Sequence, residues 1–173
     1  MIHIYMNILF IGMPGAGKTT ICSLLSKKMD KNFIEIDKII ESEFNMKLQA
    51  YIDTYGNEAF KKKEGEIILN ILKTTKNGII SPPGSIIYYP KVIDYLKNNK
   101  DYLIIYLECS LQSILKRTNH FKDRGVVMDI SKKDPYLTLY NERVPLYESL
   151  CTLKINSDQE ITIQLKEIQD IIK

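Results

Sequence analysis

Gly12-Met13-Pro14-Gly15-Ala16-Gly17-Lys18-Thr19, with Thr20 behind it, is the stretch on which the fold turns. It fits G-x-x-x-x-G-K-[ST], a loop that wraps phosphate groups. The apolar run Asn7-Ile8-Leu9-Phe10-Ile11 ahead of it reads as a strand. Behind it, Ile21, Leu24, Leu25 and Lys28 recur at helical spacing. Strand, glycine turn and helix is the arrangement that the chemistry requires. Glycines 12, 15 and 17 allow a backbone that side chains forbid and a close approach to an anion. The loop amides, with Gly12, Gly15, Ala16, Gly17, Thr19 and Thr20 as nucleotide contacts, converge with the helix N-terminus on phosphate oxygens. Lys18 adds a mobile positive charge for the β- and γ-phosphates, and Thr19 a hydroxyl for Mg²⁺. The competing reading is a glycine-rich turn with a chance lysine.

Outward from the loop, residues 33–36 read as a second strand and residues 38–44 as a short amphipathic helix, with Asp37 suited to cap it. Helical patterns follow over residues 48–55 and 57–73, then a buried strand over 79–81 that runs into Pro82-Pro83-Gly84-Ser85. A helix around 91–98 precedes the apolar strand 102–107, which is apolar on both faces as in a covered parallel sheet. Ser110 can cap a helix over 111–117. From 118 to 133 the pattern dissolves into polar and charged residues around Arg124-Gly125, which predicts a mobile lid. Pro135 opens a helix to about Leu150, with a last strand over 151–155 and a last helix over 158–172. Strands alternating with helices predict an open α/β sheet, and no internal repeat or linker interrupts residues 1–173, so a single domain is expected.

Composition narrows the function. With 173 residues, 45% hydrophobic and 26% charged, the chain can bury a substantial core. A net charge of +3 is too small to argue for nucleic acid or an anionic membrane surface, and no apolar run reaches membrane-spanning length. The N-terminal apolar stretch leads straight into the phosphate loop, which is not the layout of a signal peptide. Three scattered cysteines, Cys22, Cys109 and Cys151, suit a reducing cytoplasm. A GTPase should carry N-K-x-D after a strand. Asn99-Lys100-Asp101-Tyr102 comes near, but ends in Tyr and precedes its strand. A small ATP-dependent kinase fits the length and layout.

The sequence resembles the shikimate kinase family along nearly its whole length. The resemblance is carried by Glu35-Ile36-Asp37, by Gly56-Asn57-Glu58-Ala59-Phe60-Lys61-Lys62-Lys63-Glu64, by Arg117-Thr118 with Arg124-Gly125-Val126-Val127, and by Asn141-Glu142-Arg143-Val144-Pro145-Leu146-Tyr147. It implies a three-layer α/β sandwich with a five-stranded parallel sheet of order 2-3-1-4-5 and a lid. The implied reaction is transfer of the γ-phosphoryl group of ATP to a hydroxyl of a small anionic acceptor, shikimate foremost, by a monomer. Positioning and charge neutralisation do most of that chemistry.

The resemblance implies roles residue by residue. Lys18 and Mg²⁺ hold the β- and γ-phosphates, with Thr19 a direct metal ligand and Glu35 acting through water. Asp37 takes the proton of the acceptor hydroxyl or orients it. Arg124 closes over the transferring group and Arg117 stacks on adenine. Arg143, Lys61, Gly84 and Ser85 belong to the acceptor side. Simpler readings stand beside these: Asp37 as a helix cap, Glu35 as a strand-end charge, Arg124 as a solvated loop charge, and Arg143 paired with Glu142 or Glu148. Two departures fall on the acceptor side. Lys61 stands where the family has arginine, keeping charge but not the planar fork. Pro83-Gly84-Ser85 stands for its three glycines. A kinase of the same fold with another hydroxyl acceptor or a nucleotide, or an ATP-binding protein that has lost transfer, remain the alternatives.

Overall fold

The computed structural model describes residues 6–117, 131 and 133–172. Five parallel strands form one sheet in the order β2-β3-β1-β4-β5. They are β1 (Asn7–Ile11), β2 (Asn32–Glu35), β3 (Gly78–Ser81), β4 (Tyr102–Glu108) and β5 (Leu153–Asn156). Leu9 at the centre of β1 lies opposite Ile80 of β3 and Ile104 of β4. Every residue of β1 and the first six of β4 are buried, which explains runs without alternation. Ile8, Leu9, Phe10 and Ile11 are at most 1% exposed, and each such side chain contributes about 2 kcal/mol of burial free energy. Asn7 ties the start of the sheet to the preceding helix end: its amide group donates to Thr75 O at 3.0 Å and accepts from Gly78 N at 2.9 Å.

Eight helices fill the connections between described residues: α1 (Lys18–Met29), α2 (Ile36–Phe44), α3 (Leu48–Tyr55), α4 (Asn57–Thr74), α5 (Pro90–Asn98), α6 (Leu111–Arg117), α7 (Pro135–Leu150) and α8 (Ile161–Ile172). The fold is the expected three-layer α/β sandwich, with the expected strand order. No described helix is long and apolar enough to cross a membrane.

Local expectations shift in three places. β2 stops at Glu35 because its pairing with β3 ends at Ser81, and Ile36 then starts α2 by burying its side chain completely. Asp37 is therefore in the first turn of α2 rather than its cap; Glu35 is the capping residue and makes no side-chain capping bond. A carboxylate in a first turn still faces the positive helix end. After β3 the chain forms a 3₁₀ turn over Gly84–Tyr88, invisible in the hydrophobic pattern. β5 begins at Leu153 because Cys151 still donates its N–H to Tyr147 O of α7. Arg124 and the lid expected over 118–133 lie outside the described residues, apart from Ser131 and Lys133.

α7 explains how a cation enters the interior. Leu139, Arg143, Tyr147 and Leu150 form its buried stripe, so Arg143 occupies a position where helical spacing would put a hydrophobe. Pro145 stands within the helix and has no N–H for the carbonyl of Asn141, whose residue is solvent-exposed.

Candidate active site

A cleft of about 1420 Å³ opens beside the phosphate loop, at the carboxyl ends of the strands. Its walls come from the loop, the β2–α2 junction, α4, the segment after β3, Arg117 at the end of α6, and α7. Crevices outside the strand ends are where open α/β sheets bind ligands.

The loop has the backbone that its glycines foretold. Gly15 and Gly17 take φ of 86° and 93°, and Gly17 immediately precedes α1. Lys18 is buried, with Nζ donating to Gly12 O at 2.9 Å and Met13 O at 3.1 Å. The ammonium group is thus folded over the loop that it serves. Gly15, Gly17, Lys18, Thr19 and Thr20 line the cleft. Gly12 and Ala16 do not. Gly12 is a glycine for packing: with φ 146°, a Cβ there would stand 2.8 Å from Leu107 O of β4. Ala16 is 1% exposed and anchors the loop through its carbonyl.

Oxygen atoms gather next to the loop. Thr19 Oγ1 donates to Glu35 Oε1 at 3.2 Å and lies 3.4 Å from Ser81 Oγ. Glu35 Oε2 pairs with Lys38 Nζ at 2.6 Å. Hydroxyl and carboxylate oxygens of this kind suit a hard cation such as Mg²⁺, which keeps waters and takes phosphate oxygens as further ligands. Among the described residues no group of three or more acid, His or Cys side chains could hold a metal ion. Ser81, at the end of β3, is a member of this cluster that no motif singled out.

On the opposite wall, Arg143 is 3% exposed. Its Nε donates to Tyr88 OH at 3.1 Å, and its guanidinium carbon sits 5.1 Å from the Tyr88 ring centroid. Glu148 is taken by Lys154, so the simple helix pairing suggested for Arg143 is not formed with it. Tyr147 OH donates to Gly84 O at 2.8 Å and its ring stacks on Tyr106 at 5.3 Å. A Cβ at Gly84 would lie 2.9 Å from Arg143 Nη1, 3.1 Å from Tyr147 OH and 3.2 Å from Pro14 Cδ. The phosphate loop and the buried arginine therefore meet at Gly84. The Ser85 hydroxyl is turned to Glu64 Oε2 at 2.7 Å.

Glu64, on α4, is 2% exposed and lines the cleft. Tyr89 OH donates to the same Oε2 that Ser85 engages. Burial pushes the Glu64 carboxyl up to about 7; the two hydroxyl bonds and Arg143 oppose the rise, and Asp37 adds to it. Burial, followed by the neighbouring Glu64 charge, raises the Tyr89 phenol. Spacing could have flagged Glu64, because it falls on the same helix face as Phe60, Ile67 and Ile68. Lys61 lines the cleft half exposed and pairs with Glu58 at 3.1 Å. Asp37 also lines the cleft. Arg117 reaches the cleft with its guanidinium held by Ser157 O at 2.7 Å and Ser157 Oγ at 3.3 Å.

Comparison with known proteins gives one family. The family model described as shikimate kinase matches residues 14–173. A shikimate kinase of Caldicellulosiruptor bescii is 31% identical over 152 residues, 88% of this chain and 86% of the relative. One from Francisella tularensis subsp. novicida is 31% identical over 88% of this chain and 85% of its own. Among solved structures, shikimate kinase from Acinetobacter baumannii in complex with shikimate superposes with a TM-score of 0.83 at 24% identity, covering 96% of this chain and 92% of that one. Deoxyadenosine kinase from M. mycoides shares the fold at a TM-score of 0.60 and 17% identity, covering 96% and 99%.

Proposed function

Because the chain belongs to the shikimate kinase family, we propose that it transfers the γ-phosphoryl group of ATP to a hydroxyl of shikimate, a step of aromatic amino acid biosynthesis. The observation that carries this reading is the meeting at Gly84: loop residue Pro14 and the buried Arg143 both come within about 3 Å of one point. A phosphoryl donor on the loop and an anionic acceptor on Arg143 are thereby neighbours in one cleft.

The roles follow from chemistry. Lys18 exchanges the Gly12 and Met13 carbonyls for β- and γ-phosphate oxygens when nucleotide arrives. Loop amides and the first turn of α1 hold the remaining phosphate charge. Thr19 would hold Mg²⁺ directly, with Glu35 and Ser81 beside it acting through water, and the ion would supply charge neutralisation for the phosphates. Asp37 orients the acceptor hydroxyl and receives its proton. Arg143 grips the acceptor carboxylate with the edge that Tyr88 leaves open, and Lys61 adds a second positive charge. Gly84 keeps the chain low enough for the acceptor to reach Arg143. Arg117 stacks on adenine, and Arg124 stabilises the charge that develops on the transferring group. The three thiols are free, which supports a cytoplasmic setting.

The test is ADP release with Mg-ATP and a panel containing shikimate, other hydroxy acids, neutral polyols and deoxynucleosides. Saturable turnover with shikimate far above the panel is expected. Preference for a nucleoside, or ATPase activity that no acceptor accelerates, would overturn the reading.

A further inference from the structure

Ser157 stands one residue beyond β5, in a segment to which the sequence assigns no chemistry. Its position is set by the sheet, because its N–H donates to Glu108 O at the end of β4 at 2.8 Å. The residue is fully buried. Its hydroxyl donates to Ala16 O of the phosphate loop at 2.9 Å and accepts from Arg117 Nη1 at 3.3 Å. Its carbonyl accepts from Arg117 Nη2 at 2.7 Å and from Gln164 Nε2 of α8 at 3.2 Å. Gln164, itself buried, also donates to Gln159 O at 2.8 Å, so α8 braces the whole turn.

A hydroxyl has one proton to give and two lone pairs to receive. Here the proton goes to a loop carbonyl and a lone pair takes a guanidinium, so the two contacts do not compete. Ala16 is buried, and its carbonyl would be left without this donor if the hydroxyl were removed. The geometry points to Ser157 as a positioning residue for the nucleotide: one buried hydroxyl holds the phosphate loop and the Arg117 guanidinium in a fixed relation, so that both ends of ATP meet a preorganised site. The role given to Arg117 rests on the kinase reading above; the contact between Ser157 and the loop does not.

The test separates the two ends of the ligand. Binding of ADP and of tripolyphosphate, which lacks adenine, is measured by calorimetry for the wild type, Ser157→Ala, Ser157→Thr, Ser157→Cys and Arg117→Ala, alongside thermal unfolding. Losing the hydroxyl strands a buried acceptor and frees one guanidinium contact, so Ser157→Ala should weaken ADP about ten-fold and tripolyphosphate several-fold. KM for shikimate should change little. Ser157→Thr keeps the hydroxyl and should keep binding. Ser157→Cys, studied under reducing conditions, fills the site with a poor donor and should show the loss of binding expected of Ser157→Ala, which keeps the test available where the alanine variant does not fold. Arg117→Ala should weaken ADP but not tripolyphosphate; equal ADP binding there would defeat the adenine reading alone. Wild-type binding of both ligands by Ser157→Ala or Ser157→Cys would overturn the positioning role. So would losses that follow unfolding temperature equally in the Ala, Cys and Thr variants.

Discussion

Glu64→Gln should flatten the dependence of stability on pH. A carboxyl whose pKa is higher in the folded than in the unfolded chain holds its proton more tightly when folded, so stability falls as pH rises between the two values. For Glu64 those values are the ordinary 4.5 and about 7. The contribution is therefore greatest below about 4.5, is lost progressively through the window, and levels off above 7. Integrating the linkage relation from pH 5 to pH 8 gives about 2–3 kcal/mol lost by the wild type through this one group. The charged form is opposed by burial and by Asp37, and is favoured by Arg143 and by the Ser85 and Tyr89 hydroxyls. Gln keeps an oxygen to accept from both hydroxyls but cannot ionise. Urea unfolding of both proteins at pH 5, 6, 7 and 8 supplies the assay. The difference between them cancels His3, His120 and every other shared titration. The gap in stability should move by about 2–3 kcal/mol in favour of Glu64→Gln, or roughly 5–10 °C in unfolding temperature for a chain of this size. Parallel curves for the two proteins would refute the reasoning.

Three further outcomes are expected. Asp37→Asn should lower kcat on the order of a hundred-fold by removing a proton acceptor, with KM for ATP unchanged; because Asp37 is not the cap of α2, unfolding temperature should move little, and preserved kcat would remove it from the chemistry. Arg143→Ala should raise KM for shikimate by roughly 30-fold or more, as loss of a buried charge-paired contact does, whereas Lys61→Ala should have a smaller effect; a neutral best acceptor indifferent to Arg143 would contradict the anionic site. Gly84→Ala puts a methyl 2.9 Å from Arg143 Nη1 and should raise KM for shikimate while leaving ADP binding near wild type; equal damage to both would mean that the loop, through Pro14, moves instead.

The conformation of the phosphate loop was legible in the sequence because its determinants are local. Glycines, lysine and threonine at fixed spacing between a strand and a helix specify the loop without help from distant residues. The sheet order came from the resemblance, and alternation of strand and helix supplied only its class. What stayed hidden depends on contacts across the chain. Ser81 joins Thr19 from 62 residues away, and Ser157 joins Ala16 from 141 residues away. Glu64 and Arg143 left a trace, each a charge in the buried stripe of its helix, but periodicity says only that such a group is buried. Their partners Tyr88, Tyr89 and Ser85 come from the 3₁₀ turn and its exit, where no periodic pattern operates. Asp37 was misread as a cap because residue preference at a helix start does not fix the first helical residue; strand pairing through Glu35 did.

The two acceptor-side departures are not equal in consequence. Pro83 takes φ −60°, within the range its ring imposes, and its carbonyl accepts from Ile86 N at 3.2 Å to start the 3₁₀ turn. Proline is thus compatible with the backbone there. Ser85 spends its hydroxyl on Glu64, while Tyr89 reaches the same carboxylate by lying against Gly65, where a Cβ would stand 2.8 Å from its ring. The glycine that the approach to Arg143 requires, Gly84, is retained. On the proposed reading, Lys61 is the departure that bears on recognition. It offers one point charge instead of a planar fork, and it leaves Glu58 to do so. In the proposed site, Arg143 would then carry the directional part of carboxylate binding alone, with its Nε already committed to Tyr88. If shikimate is held this way, Lys61→Arg should lower its KM or leave it unchanged, with kcat and ADP binding unaffected. A rise in KM would mean that the wall around Lys61 has been shaped for an acceptor that a fork does not fit.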